Sequence, residues 1–259
     1  MEDIIFRDLI QIVDCFYGSK FLGSGREGKC YKIGDKTYKF YNFSYCDLLD
    51  NVDSKSKLLK FRDLFIDNIY FIRALIFYDD LLVGSVTDYA SGKSCDSVNL
   101  HRCNIKKLIE ALANLKKSLY ELSEVGIYVE DVFFSNILYD GNRFKLIDTS
   151  GYLYSTEIGE YEHSDKDDIL VIYEENMKSV IGELFRGITD KKYKNDNFIY
   201  SFLQEINSPY KDYLVDRDLL MYPDETIIGI RNIVCEYIGR EIYSFSSCRG
   251  DLMKIRGRW

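Results

Sequence analysis

The sequence has few of the residues that mark several classes of protein. It contains only two prolines, Pro209 and Pro223, and two histidines, His101 and His163. The scarcity of proline excludes collagen-like chains and proline-rich linkers, and the scarcity of histidine argues against a zinc site built from His ligands. The seven cysteines form no CxxC pair, so we expect reduced thiols of a cytosolic protein.

Long apolar runs and an excess of basic residues are also missing. No uninterrupted apolar stretch reaches the roughly 18 residues of a transmembrane helix, and Glu2 and Asp3 stand where a secretory signal would be basic. The formal net charge is −8, whereas a protein that binds nucleic acid usually carries a concentrated basic face. The sequence therefore predicts a cytoplasmic protein with neither nucleic acid nor a membrane as its partner.

What the chain does contain is enough apolar sequence for a large core. Its 259 residues are 46% hydrophobic and 29% charged, which is typical of one or two folded domains and not of a disordered chain. The hydrophobic pattern changes from strand-like to helical near residues 88–92, where we expect a hinge. The predicted class is α+β, with a small strand-rich half followed by a larger helical half.

Periodicity and turn residues place the individual elements. The predicted order is a helix over 3–16, strands over 29–33 and 36–41, a polar helix over 45–62, strands over 70–78 and 81–87, a long helix from 104 to Gly126, strands over 137–139 and 143–147, and helices beyond 170.

Three glycines, Gly23, Gly25 and Gly28, form a GxGxxG motif between two predicted strands. In a dinucleotide-binding fold this motif leads from a strand into a helix, whereas here another strand follows. A glycine loop between two strands suits the covering of nucleotide phosphates by backbone N–H groups. A plain hairpin turn is the alternative.

Lys39 lies on the strand after this loop, between large apolar neighbours. Lysine is rarely buried without a partner, so a side chain that neutralises the α- and β-phosphates would account for this position. A lysine on an edge strand, like Lys32 and Lys36 nearby, is the alternative.

Three further polar residues follow the long helix. Asp131 and Asn136 are five residues apart, and Asp148 comes directly after an apolar strand. An aspartate can orient a hydroxyl group and accept its proton, and Mg²⁺ binds through one or two carboxylates together with substrate phosphates. Asp131 is thus a candidate base and Asn136 and Asp148 are candidate metal ligands, although each aspartate alone would more often be a surface turn residue.

In their order along the chain, these residues resemble the protein-kinase-like fold, which protein kinases share with phosphotransferases of the aminoglycoside and choline kinase type. The resemblance extends over roughly residues 19–190. It implies a single bilobal domain, with a small antiparallel-sheet N-lobe over about 1–88, a hinge over about 88–92 and a larger helical C-lobe over about 93–259. It also implies ATP and Mg²⁺ as cofactors.

The resemblance assigns a role to each candidate residue. It implies that Lys39 contacts the phosphates, that Asp131 acts as the base, and that Asn136 and Asp148 hold the metal. The segment 85–90 is similar to the end of the fifth strand and the hinge. Its implied contacts with adenine come from Thr87, which would line the back of the pocket, and from the backbone of Asp88 and Ala90.

The chain also departs from the family pattern. It has Val129-Glu130-Asp131 in place of His-Arg-Asp and Asp148-Thr149-Ser150 in place of Asp-Phe-Gly. Without that arginine, we expect activity to be independent of phosphorylation in the activation loop. Phe133 stands where many protein kinases carry a lysine, which favours an atypical kinase or a pseudokinase.

The family pattern places a glutamate on the helix after the strand lysine, but no glutamate occurs between residues 28 and 109. Either Asp50 or Asp53 substitutes for it, although Asp is a methylene shorter, or the lysine is held in a different way. Asp47, Asp63 and Asp67 are less favoured, and for any single one of these aspartates a solvated position on the helix is the preferred interpretation. Further along the chain, Asn176 is predicted to start a helix that runs through Phe185. An anchor beneath the loop that contains Asp131 is its alternative role.

The leading expectation is an ATP- and Mg²⁺-dependent phosphotransferase that moves the γ-phosphoryl group to a hydroxyl acceptor. A protein Ser or Thr is favoured over a small molecule as the acceptor. The alternative is a pseudokinase that serves as a nucleotide-binding interaction module, because the residues beside Asp131 are atypical and the helix glutamate is missing.

Overall fold

The structure, a computed structural model, describes residues 1–42, 44–46, 52–158, 168–189, 223–248 and 250. The chain divides into two compact units. Unit 1 comprises Met1–Ser91 with Ile147–Ser150, and unit 2 comprises Gly92–Leu146 with Gly151–Trp259. Helices and a mostly antiparallel sheet together make a mixed α+β fold, which confirms the predicted class.

Unit 1 is built on a six-stranded sheet with the order β1-β5-β6-β4-β3-β2. All neighbouring strands are antiparallel except β1, which runs parallel to β5. The elements of this unit are β1 (Ile4–Phe6), α1 (Leu9–Phe16), β2 (Lys20–Ser24), β3 (Gly28–Ile33), β4 (Lys36–Tyr41), α2 (Val52–Leu59), β5 (Ile72–Tyr78) and β6 (Leu81–Asp88). Both predicted hairpins are confirmed.

A helix covers each face of this sheet, and strand β4 contributes to both faces. Tyr38 and Phe40 pack in the cluster that includes Ile12 of α1, whereas Tyr41 packs in the cluster that includes Leu58 of α2. Because side chains alternate along a strand, Lys39 lies on the same face as Tyr41. The candidate lysine is thus on the α2 face of a central strand.

The helix predicted over residues 3–16 is wrong for its first part. Ile4–Phe6 pair with Ile76–Tyr78 as the parallel edge strand β1, and the helix begins only after Asp8, whose side chain accepts a hydrogen bond of 2.9 Å from the Gln11 N–H. Asp8 is a favourable N-cap, so the local signal for the helix start was present. The apolar residues before it satisfied the helical period, but pairing with the sheet decided their conformation.

Unit 2 is organised around a 20-residue helix. Its elements are β7 (Lys93–Ser94), α3 (Ile105–Glu124), β8 (Ile127–Tyr128), β9 (Ile137–Tyr139), β10 (Phe144–Leu146), β11 (Leu153–Tyr154), α4 (Ile169–Thr189) and α5 (Pro223–Ile238), with short 3₁₀ turns between them. Asn104 caps α3 by accepting from the Lys107 N–H at 3.2 Å. Gly126 ends the helix with a φ of +73°, a value that suits glycine, which confirms the predicted stop.

Two expectations from the sequence, on membrane-spanning helices and on disulfides, can be compared with the described residues. In these ranges, no helix combines the length and apolar character that a membrane crossing requires. No disulfide links the seven cysteines, all of which lie in the described ranges, as predicted.

Candidate functional site

Lys39 is the centre of a charged cluster in unit 1. Its ammonium donates to Glu27 Oε2 at 2.5 Å and to both oxygens of Asp148, at 3.0 and 3.1 Å. The side chain is only 19% exposed. Strand β4 lies between β3 and β6, so the alternative of a lysine on an edge strand is wrong.

Asp148 reaches Lys39 although 109 residues separate them in the sequence. Its backbone has a φ of +59°, a left-handed conformation that Asp tolerates better than most residues but that is still uncommon. The next residue, Thr149, is buried and donates its hydroxyl to the Tyr70 carbonyl at 3.3 Å. This bond helps to hold the segment 147–150 against the rest of unit 1, which places the carboxylate beside the lysine.

The two carboxylates keep Lys39 charged. Burial alone would lower the pKa of the ammonium, but the charges and hydrogen bonds of Asp148 and Glu27 outweigh it and raise the pKa above its ordinary value. The Tyr41 ring lies 5.9 Å from the ammonium, and burial raises the pKa of its hydroxyl. At neutral pH the cluster therefore contains one cation and no phenolate.

The sequence did not identify Glu27 as a partner of Lys39. The family pattern directs attention to the helix after the lysine, whereas Glu27 lies before it, inside the GxGxxG motif. The hairpin register carries the missed signal, since Gly28 pairs with Tyr41 and so brings the loop beside the end of β4. Asp63 and Asp67 are exposed.

The structure does not describe the side chains of the other acidic residues that were considered as substitutes for the helix glutamate. Asp47 and Asp50 lie outside the described residues, and so does the side chain of Asp53. A role for Asp50 or Asp53 therefore stays a prediction.

The glycine loop is a tight turn that is held by two backbone hydrogen bonds. The Gly25 N–H donates to the Gly28 carbonyl at 2.8 Å, and the Asn42 N–H donates to the Glu27 carbonyl at 2.7 Å. A Cβ at Gly28 would collide with the backbone carbonyl of Phe40, whereas Gly25 faces open space. Packing therefore requires glycine at position 28, and the Gly25 N–H is already bonded within the turn.

The predicted hinge contains a fixed acidic side chain, Asp88. It accepts from Lys36 at 2.6 Å and from the Arg73 guanidinium at 3.0 Å. Arg73 is buried and also donates to the carbonyls of Arg62 and Leu64, both at 2.6 Å. Burial alone would raise the pKa of Asp88, but the hydrogen bonds from Lys36 and Arg73 outweigh it and lower the pKa. Asp88 is therefore a structural anion that holds this end of β6.

The backbone just after Asp88 continues the hydrogen-bonding pattern of the sheet. The Tyr89 N–H donates to the Asp35 carbonyl at 2.9 Å and so continues the ladder between β4 and β6. Asp88 is the last residue of β6 and pairs with Lys36 of β4, and Ala90 follows two residues after the strand ends. Thr87, one residue earlier, pairs with Thr37 of β4 and Ile72 of β5.

Asp131 lies in unit 2, in the connection between β8 and β9. It is exposed and has a φ of +53°. Gly151 lies directly against it, because a Cβ built there would be 3.1 Å from the Asp131 Cβ and 3.2 Å from Oδ2. Asn136, at the end of the 3₁₀ turn Phe134–Asn136, accepts a long hydrogen bond of 3.4 Å from the Ser135 hydroxyl.

Asn176 holds the start of this connection. It is fully buried, and its Oδ1 accepts from the Val129 N–H at 2.7 Å while its Nδ2 donates to the Ile127 carbonyl at 2.8 Å and the Ser123 hydroxyl at 3.2 Å. The preferred interpretation of Asn176 as a helix-start residue is wrong, since α4 begins seven residues earlier, at Ile169. Its amide instead connects the interior of α4 to the backbone just before Asp131.

The chemistry of these side chains suits a hard cation that is shared with a phosphate. In the described ranges, no three His, Cys, Asp or Glu side chains converge to hold a metal ion. Mg²⁺ usually binds proteins through one or two carboxylates plus substrate phosphates and water rather than through a complete protein cage. A carboxylate oxygen, as in Asp148, and an amide oxygen, as in Asn136, are both ligands of the kind that Mg²⁺ accepts.

The two units divide the predicted site residues. Unit 1 contains Gly23, Gly25, Gly28, Lys39, Thr87, Asp88, Ala90 and Asp148, and unit 2 contains Asp131 and Asn136. No model of a known protein family matches the chain, and no curated protein matches it significantly.

Proposed function

We propose that the chain is an ATP- and Mg²⁺-dependent phosphotransferase with a bilobal protein-kinase-like fold. It would transfer the γ-phosphoryl group to a hydroxyl acceptor, with a protein Ser or Thr as the favoured acceptor. The observation that carries the proposal is the ion pair between Lys39 and Asp148 at 3.0 Å. It joins the two residues that, in such an enzyme, bind the phosphates and the metal.

The cluster in unit 1 supports a role in nucleotide binding. Lys39 stays protonated and lies on a central strand beside the glycine loop, so its ammonium would donate to phosphate oxygens in exchange for one of its present carboxylate partners. Asp148 and Asn136 would hold Mg²⁺, which supplies charge neutralisation on the phosphates when it is bound. Thr87 and the backbone of Asp88 and Ala90, at the end of β6 and just after it, would contact the adenine ring.

The position of Asp131 supports a role as the base. Its carboxylate is exposed, and the preceding backbone is anchored by Asn176 through Val129. In the proposed reaction, the acceptor oxygen forms a bond to the γ-phosphorus while the bond to the β,γ-bridging oxygen breaks and ADP leaves. The hydroxyl proton goes to Asp131. The rate enhancement would come mainly from positioning and electrostatics.

A pseudokinase that binds nucleotide without transferring phosphate is the second candidate. Phe133 is 62% exposed and stands where many protein kinases carry a lysine near the transferred phosphoryl group. The atypical flanks of Asp131 favour the same alternative. A small-molecule kinase is a third candidate, and it shares the proposed chemistry and differs only in the acceptor.

The test is phosphate transfer from γ-labelled ATP with Mg²⁺, to a cell lysate and to small alcohols. We expect Asp131→Asn to reduce transfer at least about hundredfold, since general-base catalysis contributes roughly 10²–10⁴-fold. Lys39→Ala should abolish nucleotide binding. Lys29→Ala is the matched control, because Lys29 is exposed on the neighbouring strand and lies on the opposite face from Lys39.

Several outcomes would contradict the proposal in different places. Transfer that survives Asp131→Asn would reject Asp131 as the base. ATP at about 100 times its Kd should stabilise the protein by roughly 2.7 kcal/mol, and the absence of any Mg²⁺-dependent thermal shift would reject the ATP site. A clear shift without transfer to any acceptor would favour the pseudokinase.

A further inference from the structure

Glu27 is held in place at Lys39 by contacts on both sides of it. Its carboxylate accepts from the Lys39 ammonium at 2.5 Å, and burial together with its negative charge raises the pKa of the Tyr45 hydroxyl. Its carbonyl accepts from the Asn42 N–H at 2.7 Å, and the Asn42 side chain donates to the Arg26 carbonyl at 3.0 Å. The loop is therefore built so that the Glu27 carboxylate points at the lysine.

The resulting cluster has one more negative charge than positive charges. Lys39 has three N–H donors, and three carboxylate oxygens of Glu27 and Asp148 lie within hydrogen-bond distance of them. Among the described residues, no second lysine or arginine forms an ion pair with either carboxylate. An incoming phosphate therefore meets a lysine without a free donor and a net charge of its own sign.

We propose that Glu27 makes the site selective for a nucleotide that already carries a divalent cation. This inference rests on the proposed function. Both carboxylates lie within about 6 Å of each other, because they bond to the same ammonium, and metal-free ATP would bring several negative charges to this point. When a bound divalent cation cancels part of that charge, Asp148 has a partner other than Lys39, and an N–H of Lys39 can turn to a phosphate oxygen.

The alternative is that Glu27 only positions Lys39, and this alternative predicts a different change in ATP binding. If the carboxylate served only to orient the ammonium, its removal would weaken the binding of metal-free and metal-bound ATP alike. If its charge opposes the free nucleotide, neutralisation would tighten the binding of metal-free ATP in particular. Glu27→Gln separates the two roles, because glutamine keeps an oxygen that can accept from Lys39 and loses only the charge.

The experiment is titration calorimetry of the full chain with ATP, once in EDTA and once in excess MgCl₂. The quantity compared is the ratio of the Kd in EDTA to the Kd in MgCl₂. We expect Glu27→Gln to lower this ratio about tenfold or more, or ~1.4 kcal/mol per factor of ten, mainly through tighter binding in EDTA. Glu27→Asp retains the charge and should restore most of the wild-type ratio.

Glu2→Gln is the matched control for the change in net charge. Glu2 is exposed and precedes β1, which lies three strands away from β4 in the sheet. We therefore expect the Kd ratio of Glu2→Gln to equal that of the wild type. An unchanged ratio in Glu27→Gln, or weaker binding in both buffers alike, would overturn the selectivity and leave the proposed function standing. Failure of the wild type to bind ATP in either buffer would overturn both, and circular dichroism checks that each variant is folded.

Discussion

The Asn176 amide should contribute several kcal/mol to the stability of unit 2. In Asn176→Ala, the Val129 N–H and the Ile127 carbonyl lose their partner, and both residues are at most 2% exposed. A buried polar group left without a partner costs about 1–3 kcal/mol, so two of them should lower the free energy of unfolding by about 2–6 kcal/mol. This loss exceeds the effect of an average point substitution, which is about 1 kcal/mol.

Urea unfolding followed by circular dichroism measures this loss directly. Asn142→Ala is the matched control, because Asn142 is exposed in the turn between β9 and β10 and surface substitutions usually stay within about 0.5 kcal/mol. In Asn176→Asp, one oxygen still accepts from the Val129 N–H, but the other takes the place of a donor and faces the Ile127 carbonyl. We therefore expect Asn176→Asp to be destabilised as well.

A loss below about 1 kcal/mol in Asn176→Ala, close to that of the surface control, would refute the role of the amide as an anchor. Equal stability of Asn176→Asp and the wild type would refute the assignment of Nδ2 as a donor to Ile127. Either result would also remove the support that the anchored backbone gives to the position of Asp131.

Two further predictions concern unit 1. Gly28→Ala should lower the free energy of unfolding by roughly 1–3 kcal/mol or more, because its Cβ would meet the Phe40 carbonyl. Gly25→Ala is the control and should be far less destabilised, because position 25 faces open space. Equal losses of the two variants in a thermal melt would contradict this prediction. The pKa of Asp88 lies below its ordinary value of 3.8, so its ion pair with Lys36 stabilises the fold above that pH and is lost as the pH falls through the folded value. The stability difference between wild type and Asp88→Asn should therefore shrink in acid, and a difference that stays constant from pH 7 to pH 3 would reject the ion pair.

Local patterns were sufficient for most of the secondary structure. The Gly34-Asp35 and Asp79-Asp80 turns located two hairpins, and the apolar stripe with its closing glycine located α3. Such features depend on residues close in the chain, so period and turn chemistry reveal them. The helix predicted over 3–16 failed in its first part because pairing of residues 4–6 with β5 is a long-range event.

In the candidate site, too, features set by neighbouring residues could be predicted from the sequence and long-range contacts could not. Lys39 could be nominated because a lysine between apolar residues is unusual. Asp131, Asn136 and Asp148 could be nominated only from their spacing and their order along the chain. Asn176 was nominated only as a secondary possibility. Its function depends on backbone groups 47 and 49 residues away, which no local pattern around it reveals.

The sequence by itself determined that this is an α+β chain with a glycine loop, a strand lysine and two well-placed aspartates, since composition and short-range pattern express those features. Only the tertiary structure decided which groups these residues meet. It paired Lys39 with Asp148 across 109 residues and with Glu27 from the loop, and it buried the Asn176 amide against the backbone before Asp131. The physical reason is that a buried charge or amide must be satisfied by whatever partner the folded chain brings within hydrogen-bond distance, and that partner need not be near in sequence.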